Sequence, residues 1–313
     1  MTARLFCRAR TGILMAVNWS VTSCLLALVT VVATACTNGP YRMPAAAQSM
    51  RSDSIPIPPG TKRIEIQFHD GLLAVERGDE ARCEVETRLQ AADATTLATY
   101  ERSAMPIVEQ GAEPASIVVR ASLPTGAPID SVRTAWRLRV TVGTALVVTT
   151  RCGAVVVRGM DGDLVVNGGS GVVEATLAGG TARIMTTSGS LILRGSYSRA
   201  EVRSTIGRID LALPSTSSSE ARASTRTGEI FVELGKGQWF DARMCGETNL
   251  VRCDAEVPGE WSGTEEHDGI RWSCGRLGDL TGARSGALWI TSEHPVYVRL
   301  LAVSPFPIEN EVR

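Results

Sequence analysis

Apolar residues along this chain recur in columns. Glycines stand at Gly153, Gly171, Gly189 and Gly207 with a constant spacing of eighteen, and Gly228 follows after 21. Two residues after each glycine come Val155, Val173, Leu191, Ile209 and Ile230, and four after come Val157, Ala175, Leu193, Leu211 and Val232. Five before each glycine are Val148, Val166, Ile184, Val202 and Ala223, and seven before are Leu146, Leu164, Ala182, Ala200 and Ala221. Three before, the residue is small: Thr150, Gly168, Thr186, Ser204, Thr225. Columns two residues apart have the period of a strand, so each repeat reads as strand, glycine turn, strand, with one apolar face. A single repeat cannot bury that face, whereas repeats stacked like upon like can. The pattern predicts an all-β, β-helix-like solenoid of about 18 residues per coil. Its corner glycines would supply a positive φ or let neighbouring coils approach closely.

Two outlying stretches fit the same template. Ile64, Ile66, Gly71, Leu73 and Val75 match it, with Phe68 where a small residue is expected; Ala283, Gly286, Leu288 and Ile290 match its later half. Between the first match and the main array, Cys83, Val85, Thr87 and Leu89 alternate as a strand. So do Ile117–Val119 and the set Trp136, Leu138, Val140 and Val142. Residues 91–104 read as a short helix with Leu97 and Tyr100 on one face. The repeat domain therefore runs over 61–234. An irregular segment rich in Trp and Cys follows at 235–280, and a final coil with the C-terminal tail at 281–313.

The start of the chain is an address. Arg4, Arg8 and Arg10 precede an apolar run from Cys24 to Ala35, the layout of an export signal over residues 1–35. Ala33-Thr34-Ala35-Cys36 admits cleavage after Ala35 by the ordinary route or by the lipoprotein route, and the cysteine stands where the second requires it. Cys36 is thus the expected lipidation site and the membrane the expected partner. The alternative is an uncleaved anchor from Ile13 to Ala35, weakened by Asn18 and Ser20. Each reading places the body outside the cytoplasm. Prolines at 40, 44, 56, 58 and 59 make 36–60 an extended tether.

Ile64–Val75 and Leu146–Val232 resemble the bacterial "putative adhesin" domain family, a domain of unknown function found in envelope proteins. Thr186-Thr-Ser-Gly-Ser-Leu-Ile-Leu193 and Ser204-Thr-Ile-Gly-Arg-Ile-Asp-Leu211 are closest to its repeated motif. The resemblance covers about 64–234 and implies adhesion, with no catalytic residues to carry over. Residues 234–280 depart from it.

Composition removes several function classes. The chain has 313 residues, 44% of them hydrophobic, and a formal net charge of −1. That excludes global disorder and a basic nucleic-acid binder, so no nucleic-acid partner is expected. Calcium-binding glycine-rich repeats need a carboxylate two residues after the last glycine of the loop, where this chain has Val173. Glu174 and Asp210, two coils apart on the outward side, are the one carboxylate pair suited to glycoside hydrolysis, and nothing converges on them. The three histidines, His69, His267 and His294, lack a nucleophile elbow nearby, and His69 reads as a turn residue. Cys245, Cys253 and Cys274 with His267 lack the C-x-x-C spacing of zinc sites, so neither a metal nor any other cofactor is expected. In an exported chain these three are candidate disulfide partners, while Cys83 and Cys152 complete an odd set of five.

Trp239, Phe240, Trp261 and Trp272 gather where the repeat stops, in a chain with 5% aromatics. They would cap the open end of the array or, as exposed rings, contact a glycan or a protein. Arg183, Arg203 and Arg222 line the outward face as candidate ligand contacts, interleaved with Glu201 and Glu220. The expected function is a non-enzymatic envelope lipoprotein for adhesion or for protein or glycan interaction. A secreted carbohydrate-active enzyme and a self-assembling scaffold are the alternatives.

Overall fold

The computed structural model describes residues 47–121, 127–128, 131–213, 219–235, 238–245, 251–253, 259–267, 270–278, 283–292 and 296–301. The export signal and Cys36 lie outside these. Chain order begins with β1 (Ala47–Pro56), β2 (Arg63–Arg77), β3 (Arg82–Ala91) and the helix α1 (Ala94–Ser103). β4 (Pro106–Gln110), β5 (Ser116–Ala121) and β6 (Val132–Val140) follow. The helix starts where a carboxylate can cap it. Asp93 accepts from the Thr96 amide at 2.8 Å, which holds its carboxyl below the usual range. Tyr100 and Leu97, which the sequence places on one face of the helix, pack with Leu89, Ala91 and Val132 in a small cluster of their own.

The tether expected over 36–60 ends earlier than read. From Ala47 the chain is a strand, paired antiparallel with β3 from Ala47↔Ala91 to Pro56↔Arg82, and Ile55 and Ile57 are buried. Its polar residues show no strand alternation, so the partner strand and not the local pattern makes it β. Val142, expected to continue β6, lies beyond that strand and is 62% exposed.

The repeat follows as β7 (Ala145–Met160), β8 (Leu164–Ser170), β9 (Val173–Leu177), β10 (Thr181–Ser188), β11 (Leu191–Gly195) and β12 (Arg199–Ile206). It continues through β13 (Ile209–Ala212), β14 (Ser219–Thr227) and β15 (Ile230–Gly235). Two parallel ladders run through it. In the first, Leu146, Leu164, Ala182, Ala200 and Ala221 are successive partners on β7, β8, β10, β12 and β14. In the second, Val155, Val173, Leu191, Ile209 and Ile230 are successive partners on β7, β9, β11, β13 and β15. These are the sequence columns, each step displaced by one repeat. The long strands β2 and β7 pass through both ladders, pairing Ile64 with Leu146 and Leu73 with Val155. Inward side chains of both ladders form one core, and Ile64, Leu146, Leu164, Leu191 and Ile230 are fully buried in it. The sheet as a whole is open, not closed on itself.

The corner glycines serve both expected purposes. Gly189 has φ +131, and a methyl group there would collide with the carbonyl oxygen of Gly171 one rung below. Gly153 is different, because its φ is not positive. It leaves room for the ring of Phe68, the one large residue in the small column. Phe68 in turn packs 6.2 Å from the fully buried Trp136 ring.

After the repeat come β16 (Gln238–Cys245), β17 (Val251–Cys253), β18 (Gly259–His267), β19 (Ile270–Gly278), β20 (Ala283–Ser292) and β21 (Val296–Leu301). The segment read as irregular is thus largely strand. β20 lies between β14 and β16 and is parallel to both, while β19 and β18 extend the first ladder antiparallel. The template match at Gly286 is out by half a repeat. Leu288 and Ile290 pair with Ala221 and Ala223, in the columns before the glycine, and Gly286 stands opposite Ser219. The columns after the glycine are continued by β21, where Val296 pairs with Ile230.

Candidate interaction surface

With alternate side chains in the core, the others line two outer faces. On the first ladder one row runs Val147, Val165, Arg183, Glu201, Arg222, Trp289 and Arg243 across successive strands. Charge alternates along it. Glu201 pairs with Arg183 at 3.5 Å and Arg203 at 2.5 Å, and Glu220 with Arg199 at 3.8 Å and Arg222 at 2.8 Å. Such exposed pairs contribute about 0–1 kcal/mol each, so an incoming charged partner can exchange with them cheaply.

Towards the C-terminal strands the row becomes aromatic. The Trp289 ring lies between two guanidinium groups, Arg243 at 4.6 Å and Arg222 at 5.0 Å from its centroid, and meets Trp272 edge-on at 5.1 Å. Arg243 also reaches Glu265 at 3.3 Å, and Arg276 lies 5.0 Å over the half-buried Trp239. The second outer face has its own stack. Phe231 and Tyr297 are parallel at 4.7 Å, and Arg208 sits 3.8 Å over Phe231 while bonded to Asp210 at 2.7 Å. Strand spacing of about 4.8 Å suits ring-on-ring and ring-on-guanidinium contact between rungs. The ring faces of Trp289, Phe231 and Tyr297 are therefore turned along the ladder against their neighbours.

The residues singled out from sequence fall into distinct places. Arg183, Arg203 and Arg222 share one face with Glu201 and Glu220, as expected. Trp272 is 9% exposed with no hydrogen-bond partner for its indole N–H among the described residues, and Phe240 is fully buried; both pack in the end strands. Trp261 pairs through its backbone with Gly275 on β19, and its side chain lies outside the described residues. Cys245 and Cys274 carry free thiols, and the Cys274 thiol is pushed up by burial and by Glu265. The side chains of Cys253 and His267, and His294 altogether, lie outside the described residues. Glu174 and Asp210 are two rungs apart through Ile192, with Asp210 engaged by Arg208. Among the described residues no group of three or more His, Cys, Asp or Glu is placed to hold a metal ion.

Trp289, Arg243 and the Phe231–Tyr297 stack were not anticipated. Phe231 is the outward residue three after Gly228, so the columns already carried that signal. Trp289 and Tyr297 fall outside the predicted columns, because β20 is half a repeat out of the register that the sequence around Gly286 predicts.

No family model matches the chain, and no curated protein does. Among solved structures the chain is similar to a "putative adhesin" from Bacteroides fragilis NCTC 9343, with 9% identity over 83% of this chain and 100% of that one, at a TM-score of 0.39. It is similar to a "putative adhesin" from Parabacteroides distasonis ATCC 8503, with 13% identity over 81% and 97% and a TM-score of 0.35. A "putative cell adhesion protein" from Clostridium sporogenes ATCC 15579 has 10% identity over 81% and 99%, with a TM-score of 0.34.

Proposed function

We propose that this chain is a non-enzymatic, lipid-anchored interaction module of the cell envelope, built as a β-solenoid of 18-residue coils. The observation that carries the reading is the pair of in-register parallel ladders. They convert a sequence repeat into two broad outer faces on which like positions stack from rung to rung. Such a surface offers repeated charge and aromatic edges to an extended partner, whereas catalysis needs a few groups converging on one point. The proposed contact face is Arg183, Arg203 and Arg222, extended by Trp289, Arg243 and Trp239. Cys36 would carry the lipid.

The test is a binding screen of the processed chain against envelope glycans and envelope proteins, with Arg222→Ala, Arg243→Ala and their double variant alongside. A partner whose affinity falls at least tenfold in the double variant, with thermal unfolding unchanged, supports the reading. Turnover of a polysaccharide that is abolished by Glu174→Gln would replace it with the enzyme alternative.

A further inference from the structure

We infer that the exposed edge strand β4 rests on the surface of the bilayer to which the chain is anchored. This deepens the envelope-lipoprotein reading and depends on it. Among the described residues six large apolar side chains are strongly exposed: Met50, Met105, Ile107, Val108, Val142 and Ile206. Three of the six fall within four consecutive residues, in and beside β4, with exposures of 45%, 41% and 46% at Met105, Ile107 and Val108. Ile107 and Val108 are adjacent, so β4 shows apolar side chains on both of its sides. Among the described residues β4 is hydrogen-bonded to β5 alone. A solvated edge strand is ordinarily guarded by charge. Here Glu109 is paired with Arg120, and no unpaired charge remains on the edge, whose other exposed side chains are Ile107, Val108 and Gln110.

The anchor supplies the occupant. β1 begins at Ala47, close behind Cys36 in the chain. Fully extended, the stretch between them reaches at most about 40 Å. Ala47 pairs with Ala91, at the end of β3 that leads into α1. The helix then carries the chain about 15 Å towards Met105. The strand paired with β1, which receives the tether, and the strand with the exposed apolar edge are therefore linked by one short helix. Tethering raises the local concentration of lipid enough for a weak apolar contact to persist. An unpaired backbone edge cannot enter the hydrocarbon, so the contact lies at headgroup depth.

The full chain, carried in neutral phosphatidylcholine vesicles whose acyl chains are brominated near the headgroup end, provides the test. Ile107→Trp should add a fluorescence component quenched at least twofold, equally at 0.1 and 1 M NaCl, and Ile206→Trp should add an unquenched one. Equal quenching at the two positions would overturn the inference. So would a concentration-dependent blue shift of the Ile107→Trp protein without vesicles, which would assign the edge to a second copy. Failure of the anchor reading is seen separately, as wild-type chain that does not float with vesicles or as a Cys36→Ser chain that still fractionates with membranes.

Discussion

At Gly189 one methyl group decides whether two rungs can meet. Its φ of +131 is closed to ordinary L residues, and the Gly171 carbonyl fills the space a side chain would need. Gly189→Ala should therefore destabilise by about 3 kcal/mol or more, as strain and collision act together. Gly143 has φ +72 with nothing within 4 Å of where a Cβ would stand. Gly143→Ala should accordingly cost only about 1–2 kcal/mol. Denaturant titration of the two variants separates these cases, and equal losses would remove the close approach as the reason for the glycine column. Cys83 makes a second residue-scale prediction. Burial first, and Glu84 second, push its thiol from 9.0 up to about 12. A folded value above the unfolded one means that the neutral buried thiol's contribution is complete below pH 9 and is lost as pH rises towards 12. Iodoacetamide at pH 8 should leave Cys83 unmodified in the native protein and alkylate it once denaturant is added.

Elements were legible wherever one rung is the translation of the next. Leu146, Leu164 and Ala182 could be aligned from sequence because each lies in the same environment, flanked by its own equivalents. β1 was not legible, since Ala47–Pro56 has no apolar period and becomes a strand only against β3. The register of β20 is not legible for a topological reason: it follows β19 in the chain but inserts between β14 and β16, so its register belongs to strands far away in sequence. That placement also hid Trp289 and with it half of the candidate surface. The insertion makes β20 the link between the repeat and the end strands. Leu288→Asp would put an unpaired charge into its fully buried column. Amide exchange should then accelerate in β16, β19 and β20 well before β8 and β10, because contacts in a stack are with neighbours. Unchanged protection in β16 would contradict the pairing.

For the whole molecule, an array held by nearest-neighbour contacts should tolerate the loss of one whole repeat and not of a fraction of one. Removing residues 165–182 joins Leu164 to Arg183, and Leu164 then occupies the place of Ala182 in its column. Ile184 meets Val148 where Val166 stood, and Gly189 meets Gly153 where Gly171 stood, so both ladders keep their register. The shortened chain loses one rung of buried aliphatic surface and one set of ladder hydrogen bonds, and it should still unfold in a single transition at a lower midpoint. A deletion one residue shorter at the same place reverses inside and outside for every strand between the cut and the next turn. The core columns would then carry Arg183 and Met185 in place of Ile184 and Thr186. That variant should lose cooperative unfolding altogether. Equal behaviour of the two deletions, by calorimetry and circular dichroism, would mean that the 18-residue period is not what holds the ladders together.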